Sequence, residues 1–155
     1  MRFITSLYRK QVRVGRNFLH EHPKNATSWM LDAVKRMMKE EGVMVAEADQ
    51  CMFGLKTWGD STSKLVPAKK PTTFMTNSRA LGQELNKKCD HTHEHQSLVD
   101  GRAAAAVRYP EGLCRAICRG IIKEKMERSL GIRAVGEVNS QIVRLLFSCA
   151  TRLDV

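Results

Sequence analysis

The chain has 155 residues, with 26 Lys and Arg against 16 Asp and Glu, a net charge of +10 at pH 7 and 43% hydrophobic residues. That length fits one domain with its own core, and the balance of apolar and charged residues excludes a disordered chain. No apolar run reaches the ~18–20 residues of a membrane span, so no membrane partner is expected, and the basic surface makes non-specifically bound nucleic acid the leading partner.

In chain order, Phe3, Ile4, Leu7, Tyr8 and Val12 recur at helical spacing between Arg9, Lys10 and Arg13, which predicts an amphipathic helix over 2–14 that stops at Gly15. The first twenty residues contain no acid, a superficial likeness to a mitochondrial transit peptide; a basic helix belonging to the domain is the preferred reading. A short strand over 17–21 follows, closed by Pro23. Thr27 or Ser28 caps a second helix, with Asp32 in its first turn, Lys35, Arg36 and Lys39 later, and Trp29, Ala33 and Met37 on one face. Gly42 ends it, and a strand over 43–48 runs into Asp49-Gln50-Cys51.

Residues 54–71 read as a polar loop, 72–76 as a third strand and 79–87 as a short helix. The stretch 89–95 is irregular, and 101–107 forms an alanine-rich helix or turn. A helix over 111–128 carries Leu113, Ile117 and Ile121 on one stripe. A last helix over 137–149 carries Ile142, Val143, Leu146 and Phe147. Helix, strand, helix, strand with short connections is β-α-β grammar. It predicts an α/β fold: a small, mostly parallel sheet with flanking helices, a partial Rossmann-like domain over 1–125 and a helical extension over 126–155. Ligands gather at the carboxyl ends of the strands in such sheets, and His20-Glu21-His22 and Asp49-Gln50-Cys51 both fall at such ends.

Five cysteines without a secretory signal are expected to be reduced thiols of an intracellular protein, in cytoplasm or nucleus. Cys114 and Cys118, four apart on a helix, read first as small buried hydrophobes, and Cys51 as a packed thiol rather than a nucleophile beside Asp49. The densest metal-capable stretch is Cys89-Asp90-His91-Thr92-His93-Glu94-His95. Zinc takes Cys and His in tetrahedral groups, so Cys89, His91, His93 and His95 are candidate ligands, with Cys114 or Cys118 to complete a set. The plainer alternative is a solvated, histidine-rich loop. Glycine-rich phosphate loops and Ser elbows are absent, so no cofactor is expected other than zinc.

The segments LYRKQVRVGRNFLHEHPKNATSW, DQCMFGLKTWG, KKPTTFMTNS, KKCDHTHEHQSLVDGRAAAAVRYP and LCRAICRGI, taken in order, resemble a segment of Copia-like retrotransposon polyproteins of the kind abundant in dinoflagellates. The resemblance covers roughly residues 5–122. That segment resembles, more faintly, the later half of the Rossmann-like domain of cytosine-5 DNA methyltransferases. FLHEHP then stands where that family has a strand ending in Glu-Asn-Pro or Glu-Asn-Val, so Glu21 matches the glutamate that holds the target base, and His22 replaces the family Asn. The resemblance implies that His20, Glu21, His22, Asp49 and Cys51 are the relic of a substrate-binding site.

No glycine-rich S-adenosylmethionine loop and no Pro-Cys nucleophile lie upstream of Glu21, so the isolated chain is not expected to be an enzyme or to bind that cofactor. The expectation is a catalytically incomplete, retrotransposon-derived domain that binds nucleic acid weakly. The alternatives are part of a methyltransferase-like enzyme that needs a missing N-terminal half, and a zinc-stabilised binding module.

Overall fold

Thr72-Thr73-Phe74-Met75-Thr76 has no alternation of polar and apolar residues, the pattern of a strand covered on both faces. In a computed structural model, which describes residues 1–59, 64–98 and 106–130, all five are buried. Helix α1 (Arg2–Arg13) leads into β1 (Leu19–Pro23). A 3-10 turn, Thr27–Met30, and α2 (Asp32–Met38) connect to β2 (Met44–Asp49). A second 3-10 turn, Gln50–Phe53, precedes a hairpin of β3 (Lys56–Trp58) and β4 (Leu65–Pro67). Then come β5 (Pro71–Thr76), α3 (Arg79–Leu85) and α4 (Glu111–Ser129).

The main sheet has the order β1-β5-β2, and both outer strands pair with β5 antiparallel. This corrects the expected mostly parallel, Rossmann-like sheet. β1, α2 and β2 do form a β-α-β unit whose strands run the same way, but β5 inserts between them and runs against both, a split β-α-β arrangement. Element order alone cannot tell adjacent parallel strands from strands with a third between them. The second sheet is the β3–β4 hairpin, antiparallel within a stretch expected to be a polar loop.

Antiparallel partners share a face of the sheet. His20 lies opposite Met75 and packs toward α1 and α2, where Phe18, Trp29, Val34, Met37 and Met75 form one core. Glu21 lies opposite Phe74 on the other face, where Ala46, Ala48, Phe53, Phe74, Leu85, Leu113 and Ala116 form a second core under α3 and α4. The sheet is thus a middle layer between helices.

Local chemistry sets the ends of these elements. α1 carries Lys10 and Arg13 in its last turn, and Gly15, at φ +69°, adopts the left-handed conformation just beyond it. Ser78 caps α3 by accepting the Leu81 N–H at 3.2 Å, and its hydroxyl donates at 2.7 Å to Glu124, a buried carboxylate on α4. The inward stripe of α4 is Leu113, Ala116, Gly120 and Glu124 rather than Leu113, Ile117 and Ile121. Gly120 lets α4 approach α3 closely, since a Cβ there would lie 2.9 Å from Leu81 Cα. That rotation leaves Cys114 and Cys118 exposed, not buried as expected.

Met1–Glu124 form one compact unit and Lys125–Val155 a second. The expected helix over 137–149, most of the proposed extension over 126–155 and most of the alanine-rich stretch 101–107 lie outside the described residues.

Candidate metal centre

Three segments converge where β2 ends. Cys51 sits in the 3-10 turn that directly follows β2, and Gln50 anchors that turn by donating from Nε2 to Thr72 Oγ1 at 2.9 Å. The chain leaving α3 then runs beside the end of β2. The Asp49 N–H donates to the Lys87 carbonyl at 3.0 Å, and the Cys89 N–H donates to Asp49 Oδ2 at 2.9 Å. These two bonds bring Cys89 next to Cys51. Farther along, the Gln96 N–H donates to the Pro67 carbonyl at 2.9 Å, and Gln96 bridges Ala68, which ties the histidine loop to the hairpin.

The result is a group of four: ligand atoms of Cys51, Cys89, His93 and His95 all lie within 4.8 Å of one another. Cys89 Sγ is 3.7 Å from His93 Nε2 and 3.4 Å from His95 Nε2. Zinc bonds of about 2.0–2.3 Å in a tetrahedron imply ligand–ligand edges of about 3.6 Å, so those separations fit the metal with little movement. The donor chemistry fits as well, because two thiols and two imidazoles make a Cys₂His₂ set, the composition of structural zinc sites.

The turn between the ligands has its own support. His91 adopts a left-handed φ of +59° and its N–H donates to Cys89 Sγ at 3.3 Å, while Asp90 Oδ1 accepts from Thr92 N and Oγ1 at 3.1 and 2.8 Å. That reversal folds the chain back so that His93 and His95 face Cys89. Among the candidates, His91 is the one left outside the group. Its exposed ring lies 3.5 Å from Lys69 Nζ instead.

Charge completes the picture. Burial and the adjacent Cys89 sulfur push the Cys51 thiol up to about 11, a direction that a divalent cation between the sulfurs would reverse. Burial, followed by the neighbouring His93, lowers the His95 pKa and favours the neutral imidazole that a metal ligand must be. Asp49 acts from behind: its carboxylate orients Cys89 and lies 3.9 Å from Lys69 Nζ.

The fourth member of the group is Cys51, not Cys114 or Cys118, which lie exposed on α4. The available signal for Cys51 was its place at a strand end, beside Asp49. The remaining candidates do not converge on one point. His20 accepts or donates a 2.9 Å hydrogen bond with the Tyr8 hydroxyl, stacks on His22 at 4.8 Å and meets Trp29 edge-on at 5.2 Å. His22 Nδ1 lies 3.1 Å from Ser28 Oγ. Glu21 points to the opposite face and accepts from the Tyr109 hydroxyl at 2.7 Å. Burial, together with that carboxylate, pushes the phenol up to about 12, so it stays a donor.

No helix among the described residues is long and apolar enough to cross a membrane. Comparison with protein-family models, with curated proteins and with solved structures finds no match for this chain.

Proposed function

We propose that this chain is a zinc-stabilised, non-catalytic nucleic-acid-binding module, descended from a retrotransposon polyprotein of the kind its segments resemble. The observation that carries the reading is the convergence of Cys51, from the turn that follows β2, with Cys89, His93 and His95, from the loop after α3, within 4.8 Å. Four protein ligands fill a tetrahedral site, and a filled site favours a structural metal over a catalytic one, which keeps a position for water or substrate. The net charge of +10 supports a polyanionic partner.

Elemental analysis of the purified chain tests the metal. One zinc per chain is expected, lost in Cys51→Ser and Cys89→Ser and kept in Cys114→Ser and Cys118→Ser. A zinc-free protein that keeps its fold would overturn the proposal. Binding to duplex and to single strands across a salt series tests the partner, with affinity falling steeply as salt rises.

A further inference from the structure

The composition offers only nine aromatic side chains, and both tryptophans look like core residues until their positions are compared. Trp29 is 9% exposed beneath α1 and α2. Trp58 is 59% exposed, near the end of β3. Strand alternation explains the difference: Thr57 points inward at 1% exposure, so Lys56 and Trp58 point out together. In register across the hairpin, Trp58 faces Leu65, itself 53% exposed, and Lys64 follows at the same end, where its carbonyl accepts the Gly59 N–H at 3.1 Å.

The result is an exposed indole across from an exposed leucine, with Lys56 on the same face and Lys64 next to Leu65 in the chain. The base of the hairpin is fixed to the metal-ligating segments. The Leu55 N–H donates to the Gln50 carbonyl at 3.0 Å, the Ala68 N–H to the Leu55 carbonyl at 3.0 Å, and the Gln96 N–H to the Pro67 carbonyl at 2.9 Å. Cys51 follows Gln50 and His95 precedes Gln96, so a metal held there would brace the root of the hairpin on both sides.

Building on the proposed nucleic-acid partner, we infer that Trp58, paired across the hairpin with Leu65 and with Lys56 and Lys64 close by in the two strands, is a base-stacking platform for single-stranded nucleic acid. A partner recognised by charge alone gains nothing from an exposed indole. Bases have free π faces only where they are unpaired, and stacking on an aromatic side chain tolerates any sequence. Lysines beside the ring meet the phosphates that accompany a stacked base.

The test uses the full, zinc-loaded chain, read by tryptophan fluorescence and by affinity for oligothymidylate, a blunt DNA duplex and heparin. Oligothymidylate is expected to quench Trp58, and heparin, which has no bases, is not. Trp58→Ala should weaken oligothymidylate binding roughly tenfold, with duplex and heparin affinity and zinc content unchanged; Trp58→Phe should recover part of the loss. Removing both lysines should lower the single-strand salt slope by about 1.4. If Trp58→Ala binds oligothymidylate like the wild type, or weakens heparin equally, the platform is refuted while the polyanion reading stands. An indole that serves a protein partner instead would leave every nucleic-acid measurement unmoved, which also refutes it. Failure of the wild type to bind any of the three probes would refute both.

Discussion

Around β5, two layers of helix bury Phe74, Met75, Met37, Leu85 and Leu113 almost completely, whereas among the described residues the hairpin and the loop after α3 share a cluster of Leu55, Ala68 and Ala106, with Leu98 against it. The first region removes large side chains from water on both faces of a sheet, at roughly 1.5–3 kcal/mol for each one fully buried. Among the described residues the second has two alanines and two leucines, a small apolar content for the ordering of a loop from 86 to 98 that is without helix or strand. What it has instead is the Cys₂His₂ group. One region is built to fold on its own apolar content; the other, on the proposed reading, folds around an ion.

The sharpest way to break that contrast is to remove the ion. Chelation of zinc, or Cys89→Ser, should release the segment 86–98 and the hairpin rooted on it while the main sheet persists, because metal affinity in such sites is folding free energy, about 10–16 kcal/mol of apparent binding in zinc-finger peptides. Hydrogen exchange would show it: amides of Cys89, His91 and Gln96 lose protection and those of β5 keep theirs. His91→Ala is the matched control, since His91 stands outside the ligand group and should keep the zinc. Equal loss of protection in both regions would mean that they form one cooperative unit.

Two glycines sharpen the comparison further. A methyl group at Gly120 would press on Leu81, and one at Gly112 on the backbone carbonyl of Phe53, in the turn that carries Cys51. Both Ala variants should cost about 1–3 kcal/mol by overpacking. They should differ in a second readout. Gly120→Ala lowers the melting temperature with zinc affinity unchanged, whereas Gly112→Ala displaces the Cys51 turn and lowers both. Competition with a zinc-binding dye measures the affinity, and a Gly112→Ala chain with wild-type affinity would uncouple the α4 N-terminus from the metal.

The sequence was most legible where local rules operate. The 3.6-residue pattern of Ile4, Tyr8 and Val12, the Gly15 stop and the apolar strands at 43–48 and 72–76 all correspond to observed elements. It failed where the outcome depends on pairing. Nothing local says that β5 inserts between β1 and β2, and the parallel sheet inferred from element order was wrong for that reason. The same blindness shaped the site. Cys89, His93 and His95 share one loop and could be seen together, but Cys51 is 38 residues earlier and is brought beside them by tertiary bonds such as Asp49–Lys87 and Asp49–Cys89. His20-Glu21-His22 is the opposite case, a set adjacent in sequence from which the fold turns Glu21 away. Residues adjacent in sequence, on a strand, look to opposite faces.

The smallest expected effect concerns the α1 face of the sheet, where His20 replaces a metal with a proton as the group to watch. Its imidazole is 6% exposed, bonded to Tyr8 through Nδ1 and without a partner at Nε2. Facing it are the Tyr8 hydroxyl from α1, the His22 ring on its own strand and Trp29 from the first 3-10 turn; the Arg9–Glu40 ion pair joins α1 to residue 40, just past α2. Burial first, then a charge on His22, lowers the His20 pKa below its usual 6.5, and Glu21 opposes this weakly from the far face. The folded chain therefore binds this proton less readily than the unfolded one. Its contribution is fully present above about pH 6.5 and is lost as pH falls through that value toward the lower folded pKa, with a slope of at most about 1.4 kcal/mol per pH unit. α1 should loosen first, because Tyr8 holds it down through the His20 bond and a 4.4 Å stack on Phe18. His20→Gln should flatten the slope between pH 7 and 5. Acid also releases zinc, but that loss shows at the amides of 89–96, whereas protonation of His20 shows at those of α1. If α1 exchange in His20→Gln keeps the wild-type pH dependence, the proton is taken up elsewhere and the two faces of the sheet are not distinguished by this histidine.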